Sequence, residues 1–322
     1  METLPPGPQE HDTVPSTPHL DTPTARSSIF YGPHGLRAGW SIFLFIGLLG
    51  TLLFFSGIEI HWLQQHFHAG AISQKGHGLH PTIMILAEAS TLLAVLLATA
   101  GMARMEQRNV ASYGLAGAHR VRQFVIGILS GFGFLSLLVG ILVATHHLEL
   151  HKAPMPIGQT AAYASAWGLC FLLVGMTEEL MLRGYLLFTL ARGIRFWPAA
   201  ILLAALFGLL HKGNAGESPF GLVAAALVAL VFSLSLWRLG HLWWAIGFHA
   251  SWDWAESYFY GTPDSGMVST GRLMQAHPMG SLLQSGGATG PEGSVWIILV
   301  LVLAALFVWM TQHNQRPQFG GK

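Results

Sequence analysis

Eight apolar runs leave this chain few ways to fold. They lie near residues 38–58, 82–103, 123–145, 161–190, 197–211, 220–237, 242–259 and 294–311. A bilayer core about 30 Å thick is crossed by about 20 residues of helix. Most of the runs approach or exceed that length. Only 10% of the 322 residues are charged, against about a quarter in a soluble domain. So little polar surface points to lipid as the solvent. The expected fold is all-α, a polytopic membrane bundle of about eight transmembrane helices. The first run has Trp40 near its start and Trp62 just past its end, where interfacial aromatics belong.

Four regions are expected. Residues 1–35 form a Pro-rich cytoplasmic tail. Pro5, Pro6, Pro8, Pro15, Pro18 and Pro23 stand among Ser, Thr, Asp and Glu, so the segment cannot bury enough surface to order itself. It lacks the basic start and apolar core of a cleaved signal, which makes the first helix an uncleaved anchor. Helices one to three occupy 36–155, a catalytic core 156–260, and a Gly-rich loop with the last helix 261–322. The loop reads as flexible and carries no phosphate-binding pattern. With eight spans both termini share a side. Twelve of the 16 basic residues fall on it, Arg104, Arg108, Arg192 and Arg238 among them, while Lys75, Lys152, Lys212 and Arg272 fall on the other. Basic loops stay inside, so the termini are placed in the cytoplasm. A bacterial inner membrane is the expected location, and a chamber should open toward the cytoplasm. The net charge of +1 and the absence of a basic block exclude nucleic acid as an expected partner. Cys170, the one cysteine, reads as a small buried apolar residue. Gly127 and Gly131, four apart in the third run, allow close helix approach, either within the bundle or across a dimer.

Ionisable side chains at bilayer depth are costly and therefore functional candidates. Three runs contain them: Glu178-Glu179-Leu-Met-Leu-Arg183, Phe207-Gly-Leu-Leu-His211 and His249-Ala-Ser-Trp-Asp253. Glu179 and Arg183 are four apart, share a helix face and can pair. Glu178 is rotated about 100° from them and must face another helix, with His211 and His249 the candidates. His249 and Asp253 also share a face. Counting at 1.5 Å per residue from the arginine-rich ends puts the group about 12 to 22 Å deep, in one layer. A carboxylate beside an imidazole can take a proton from water as it attacks a carbonyl, and a second histidine can stabilise the oxyanion. Glu178, His211 and His249 can equally hold zinc, since two His and one Glu is a catalytic ligand set. The His-Glu-x-x-His signature is absent.

The three segments resemble the CPBP family, the CAAX protease and bacteriocin-processing or Abi family, which includes the type II CAAX prenyl endopeptidase. The match rests on Glu178-Glu179-x-x-x-Arg183, Phe207-x-x-x-His211 and His249-x-x-x-Asp253, in that order on separate spans, over roughly 160–260. The resemblance implies an intramembrane endopeptidase acting on a membrane-associated peptide or protein. Glu178 and His211 would activate water, and His249 with residue 253 would form the oxyanion site. Glu179, Arg183 and Phe207 would support the architecture. The family's Asn is Asp253 here, and an ionised Asp cannot donate to an oxyanion. It must be protonated, orient His249 or bind a metal. The family is described as metalloproteases, but the water mechanism requires no metal.

Plainer readings stand beside these. The Glu178, Glu179 and Arg183 group can be an ion-pair knot that sets helix register, and His249 with Asp253 a packing pair. A peptide-binding immunity or scaffold protein, or a proton-coupled transporter, would use the same groups. Glu88 is a lone carboxyl that either packs protonated or lines the cavity. His61, His66, His68, His77 and His80, with His146, His147 and His151, read as polar loop residues, with a far-side metal site the alternative. Trp243, Trp244, Trp252 and Trp254 read as interfacial anchors or chamber wall.

Overall fold

The computed structural model describes residues 29–32, 35–66 and 79–311. The expected N-terminal tail, apart from residues close to the first helix, lies outside them, as do His68 and His77 and the side chains of Trp62 and His66. A two-residue pair, β1 (Tyr31–Gly32) with β2 (Gly35–Leu36), precedes α1 (Ala38–His66). Then come α2 (Pro81–Met105), α3 (Arg120–Ala144), β3 (Leu148–Lys152) and α4 (Ile157–Glu178). A π-helical stretch over Glu179–Leu186 carries α4 into α5 (Leu187–Ile194). α6 (Phe196–Leu210) and α7 (Pro219–Leu239) follow. α8 (Trp243–Trp254) ends in a second π-helical stretch, Ala255–Tyr260. β4 (Met274–Pro278), α9 (Leu282–Ser285) and α10 (Trp296–Thr311) complete the described chain.

Local chemistry sets several boundaries. α2 starts at Pro81, whose missing N–H costs nothing there, and the His80 ring accepts from Thr82 N at 3.4 Å. α7 opens the same way: Ser218 Oγ accepts from Gly221 N at 3.0 Å, with Pro219 next. It closes at Gly240, which takes the left-handed conformation (φ 78°).

The fold is an all-α membrane architecture. Among the described residues six helices are long and apolar enough to cross a bilayer, the longest running from Ile157 through the π-helical stretch to Ile194. The other two expected spans are α10, with 16 residues, and α8 with its continuation. Large apolar side chains stand exposed on the outer helices, among them Phe43, Phe54, Leu93, Leu129 and Leu209. Such a surface is a liability in water and natural in lipid.

α8 is the exception. Every residue from Trp244 to Asp253 is buried. α3 and α4 enclose it through small residues. A Cβ on Gly127 would stand 2.3 Å from Trp244 O, one on Gly131 2.2 Å from Phe248 O, and one on Gly247 2.3 Å from Phe124 O. The Gly127/Gly131 pattern therefore serves contact with α8 inside the bundle.

The 261–295 region is not the loose loop expected. β4 pairs antiparallel with β3, with Leu148 opposite Pro278 and Lys152 opposite Met274. Thr262, Ser285, Thr289 and Ser294 are buried. Glycines read as flexibility instead permit close turns: a Cβ on Gly286 or Gly290 would overlap the backbone of Gly290 or Pro263.

At the end of the bundle that carries Arg104 and Arg192, Glu106 accepts hydrogen bonds from Tyr113 (2.8 Å), Tyr185 (2.7 Å) and Arg192 (2.9 Å). Burial pushes its carboxyl up, but these three donors outweigh that and hold it below the usual carboxylate range. Burial and Glu106 push the Tyr113 hydroxyl above its own range. The knot ties α2 to α5, and its centre, Glu106, was not singled out in the sequence.

Candidate active site

Glu178 ends α4 and Glu179 opens the π-helical stretch. A π turn holds an extra residue and re-aims the side chains that follow it. Gly184, within this stretch, leaves helical geometry altogether (ψ −118°). The Glu179 carboxylate is fully buried and takes two partners through Oε1: Arg183 Nη1, four residues on, and His249 Nδ1 at 3.1 Å. The second contact goes beyond the supporting role expected for Glu179. The Arg183 guanidinium lies over the Phe207 ring at 4.9 Å and the Phe232 ring at 5.3 Å, an arrangement in which desolvated arginine is stabilised by aromatic faces.

His249 is the hub. Its Nδ1 faces Glu179, and its Nε2 lies 3.6 Å from Glu178 Oε2 and 3.5 Å from Asp253 Oδ2. Its ring stacks on Phe232 at 5.3 Å. Glu178 is the accessible carboxylate of the adjacent pair: its side chain is 28% exposed, that of Glu179 0%. Phe207 packs on the His211 ring at 4.6 Å and approaches His249 at 6.2 Å. His211 follows α6 directly, and its Nδ1 lies 2.8 Å from Phe207 O. A proton on Nδ1 donated to that carbonyl leaves Nε2 as an acceptor.

Glu178, Phe207, His211, His249 and Asp253 line one cavity of about 190 Å³, together with Glu88, Trp252, Asn214, Ser265, Asp264 and Glu292. Three helices thus bring the expected ionisable residues to one space. Its lining corrects one expectation, since it includes Asn214, Ser265, Met267 and Ser269, loop residues at the end of the bundle that carries Lys212 and Arg272. The cavity therefore adjoins the end opposite the arginine-rich one. The physical reason is that His211 sits past the last residue of α6 and not at its middle.

The sequence reading missed Asp264, Ser265, Asn214 and Glu292. Each stands in a stretch without helical periodicity, and only the folded loop brings them to the cavity. The one signal for Asp264 and Glu292 was acidity in a segment otherwise poor in charge, and Ser265 and Asn214 carried none. Glu88 lines the cavity, as one of its two readings had it. The tryptophans are tied into the protein, and Trp252 lines the cavity as the chamber-wall reading had it: Trp243 donates to Leu115 O (3.0 Å), Trp252 to Glu292 (2.7 Å) and Trp254 to Ala164 O (2.9 Å), and Trp244 is fully buried. Cys170 is fully buried. His80 caps α2, and His147 Nδ1 pairs with Thr145 Oγ1 at 2.9 Å.

The zinc reading meets a geometric test. Zinc at 2.0–2.2 Å from each ligand holds ligand atoms within about 4 Å of one another. Glu178, His211 and His249 are not such a trio. Among the described residues only Glu256, Asp264 and Glu292 offer three ligand atoms within 4.8 Å of one another. The site as formed thus provides carboxylates and imidazoles spaced for hydrogen bonding.

A polytopic helical membrane protein with buried carboxylates and imidazoles around an internal cavity is built like an intramembrane hydrolase. Residues 159–255, roughly a third of the chain, match the family model described as type II CAAX prenyl endopeptidase Rce1-like, in agreement with the CPBP resemblance of the three motif segments. Comparisons with curated proteins and with solved structures gave no match.

Proposed function

We propose that this chain is an endopeptidase that cleaves a membrane-associated peptide or protein with a water molecule activated by Glu178 and His211. The observation that carries the reading is Glu178: it reaches the cavity, lies 3.6 Å from His249, and its Oε2 has no hydrogen-bond donor among the described residues. A water in the cavity can donate one proton to Glu178 and the other to His211 Nε2. Attack on the scissile carbonyl then leaves the proton on the base pair, from which it passes to the departing amine.

His249 fills the oxyanion role. With Nδ1–H donated to Glu179, a proton on Nε2 points to the space shared with Glu178 and Asp253 and is available to the developing oxyanion. Asp253, at 3.5 Å, serves by keeping that proton on Nε2 and not by donating a bond of its own. The role given to residue 253 in the resemblance thus becomes one of positioning. Arg183 and Glu179 fix the imidazole from behind. No step in this scheme passes through a metal. The basic-residue bias supports an orientation with both termini in the cytoplasm; a bacterial inner membrane belongs to the same reading. The family name supports prenylated CAAX-type peptides as the first substrates to try.

The test uses full-length protein in proteoliposomes with membrane-anchored peptides, a farnesylated Cys-a-a-X peptide among them, and mass spectrometry of the products. Glu178→Gln and His211→Ala should each lower the cleavage rate by about a hundredfold or more without loss of insertion. Wild-type rates in both variants would overturn the enzyme reading. Binding without cleavage by the wild type would favour the scaffold reading, and solute flux in the same vesicles a transporter.

A further inference from the structure

At the wall of the cavity, to which Asp264 and Glu292 both belong, three carboxyl groups meet. Glu256 comes from the π-helical end of α8, Asp264 from the turn that follows, and Glu292 from the short helical turn before α10. One oxygen from each lies within 4.8 Å of the other two. Among the described residues no ion pair reaches any of them. Two are oriented by donors: Ser257 Oγ gives to Asp264 Oδ2 at 3.0 Å, and Trp252 Nε1 and Ser265 Oγ give to Glu292 Oε1 and Oε2 at 2.7 and 3.0 Å. Glu256 is different. It is 0% exposed, and neither of its carboxyl oxygens meets a donor at hydrogen-bond geometry among the described residues; Trp252 lies beside it but gives its N–H to Glu292. A buried carboxyl with both oxygens unsatisfied needs either a proton or a cation.

We propose that Glu256, Asp264 and Glu292 bind a hard divalent cation of the calcium class, separate from the proposed hydrolytic residues. Three carboxylates and no imidazole or thiolate form a hard-cation ligand set. Calcium takes oxygens at 2.3–2.6 Å, so oxygens on one ion are at most about 5 Å apart, and the trio fits inside that shell. Waters from the adjoining cavity complete the coordination. The donors on Asp264 and Glu292 already aim those carboxylates, as outer partners do in metal sites, while Glu256 keeps both oxygens free for the ion. Bound there, the cation would tie the 261–295 region and α10 to the helix that bears His249 and Asp253.

The test is calcium binding to purified full-length protein in detergent after treatment with chelator, by isothermal titration and by thermal unfolding against calcium chloride. One calcium should bind saturably and raise the unfolding temperature, with magnesium as competitor. Glu256→Gln and Asp264→Asn should each weaken binding by about tenfold or more, while Glu178→Gln should leave it unchanged. Two results would overturn the proposal. One is a wild type that takes up no calcium up to millimolar concentration, with Glu256→Gln as stable or more so, which means that the carboxyls are held together by protons. The other is binding abolished by Glu178→Gln and untouched by Glu256→Gln. Neither depends on whether the chain cleaves peptides.

Discussion

The fit of α3 against α8 is tight enough to turn one methyl group into a measurable displacement of the site. In Gly131→Ala the added Cβ would start 2.2 Å from Phe248 O and 2.3 Å from Ser251 Oγ. Carbon and carbonyl oxygen rest at about 3.3 Å, so α8 must withdraw by about 1 Å. His249 is the next residue after Phe248, and its Nε2 would leave its position 3.6 Å from Glu178, while Asp253, on the same helix, would move with it. A misplacement of about 1 Å in a catalytic group costs about a hundredfold in rate, and overpacking costs about 1–3 kcal/mol of stability. Gly133, two residues along the same helix, faces open space: a methyl there would meet nothing within 4 Å. Gly133→Ala should therefore be neutral or slightly stabilising. Thermal unfolding in detergent and peptide cleavage would be measured for both variants side by side. If Gly131→Ala matches Gly133→Ala in both readouts, the close packing of α3 on α8 does not set the site.

Other outcomes follow from buried charge. Glu179→Ala leaves Arg183 buried without its carboxylate and frees His249 Nδ1, so it should cost about 3–5 kcal/mol, read as a fall in denaturant midpoint; a loss below about 1 kcal/mol would mean that Arg183 finds another partner. Glu106→Gln removes the charge that three donors share and should cost about 1–3 kcal/mol at neutral pH. The folded Glu106 carboxyl lies below its ordinary value of 4.5. Its contribution is therefore complete above that pH and is lost as pH falls through the folded value. The variant should flatten the acid side of the stability profile, and an unchanged slope would refute the assignment.

The bundle was legible because lipid imposes a crude demand, length and apolarity, that a single sequence displays openly. The three motif segments were legible for the complementary reason: Glu178, Arg183 and His249 stand out against that apolar ground. The chemistry from the 261–295 region was not. Asp264 and Glu292 are 28 residues apart in glycine-rich sequence, and their meeting depends on turns at Gly286 and Gly290 that no periodicity announces. The second contact of Glu179 was equally hidden, because helix spacing shows partners at i+4 and is silent about another helix. The direction of the cavity was misread for a related reason: residue counts fix depth along a helix but not which end the neighbouring loops close.

α8 touches protein around nearly its whole circumference, so the rules that govern a lipid-facing segment do not govern it. It can accommodate His249, Asp253 and, just beyond it, Glu256 because its neighbours and not the bilayer are its solvent. Hydropathy alone would therefore undervalue this segment, although it is the one on which the chemistry converges. Variation tolerated elsewhere on the surface as one oily side chain for another should be restricted here by shape.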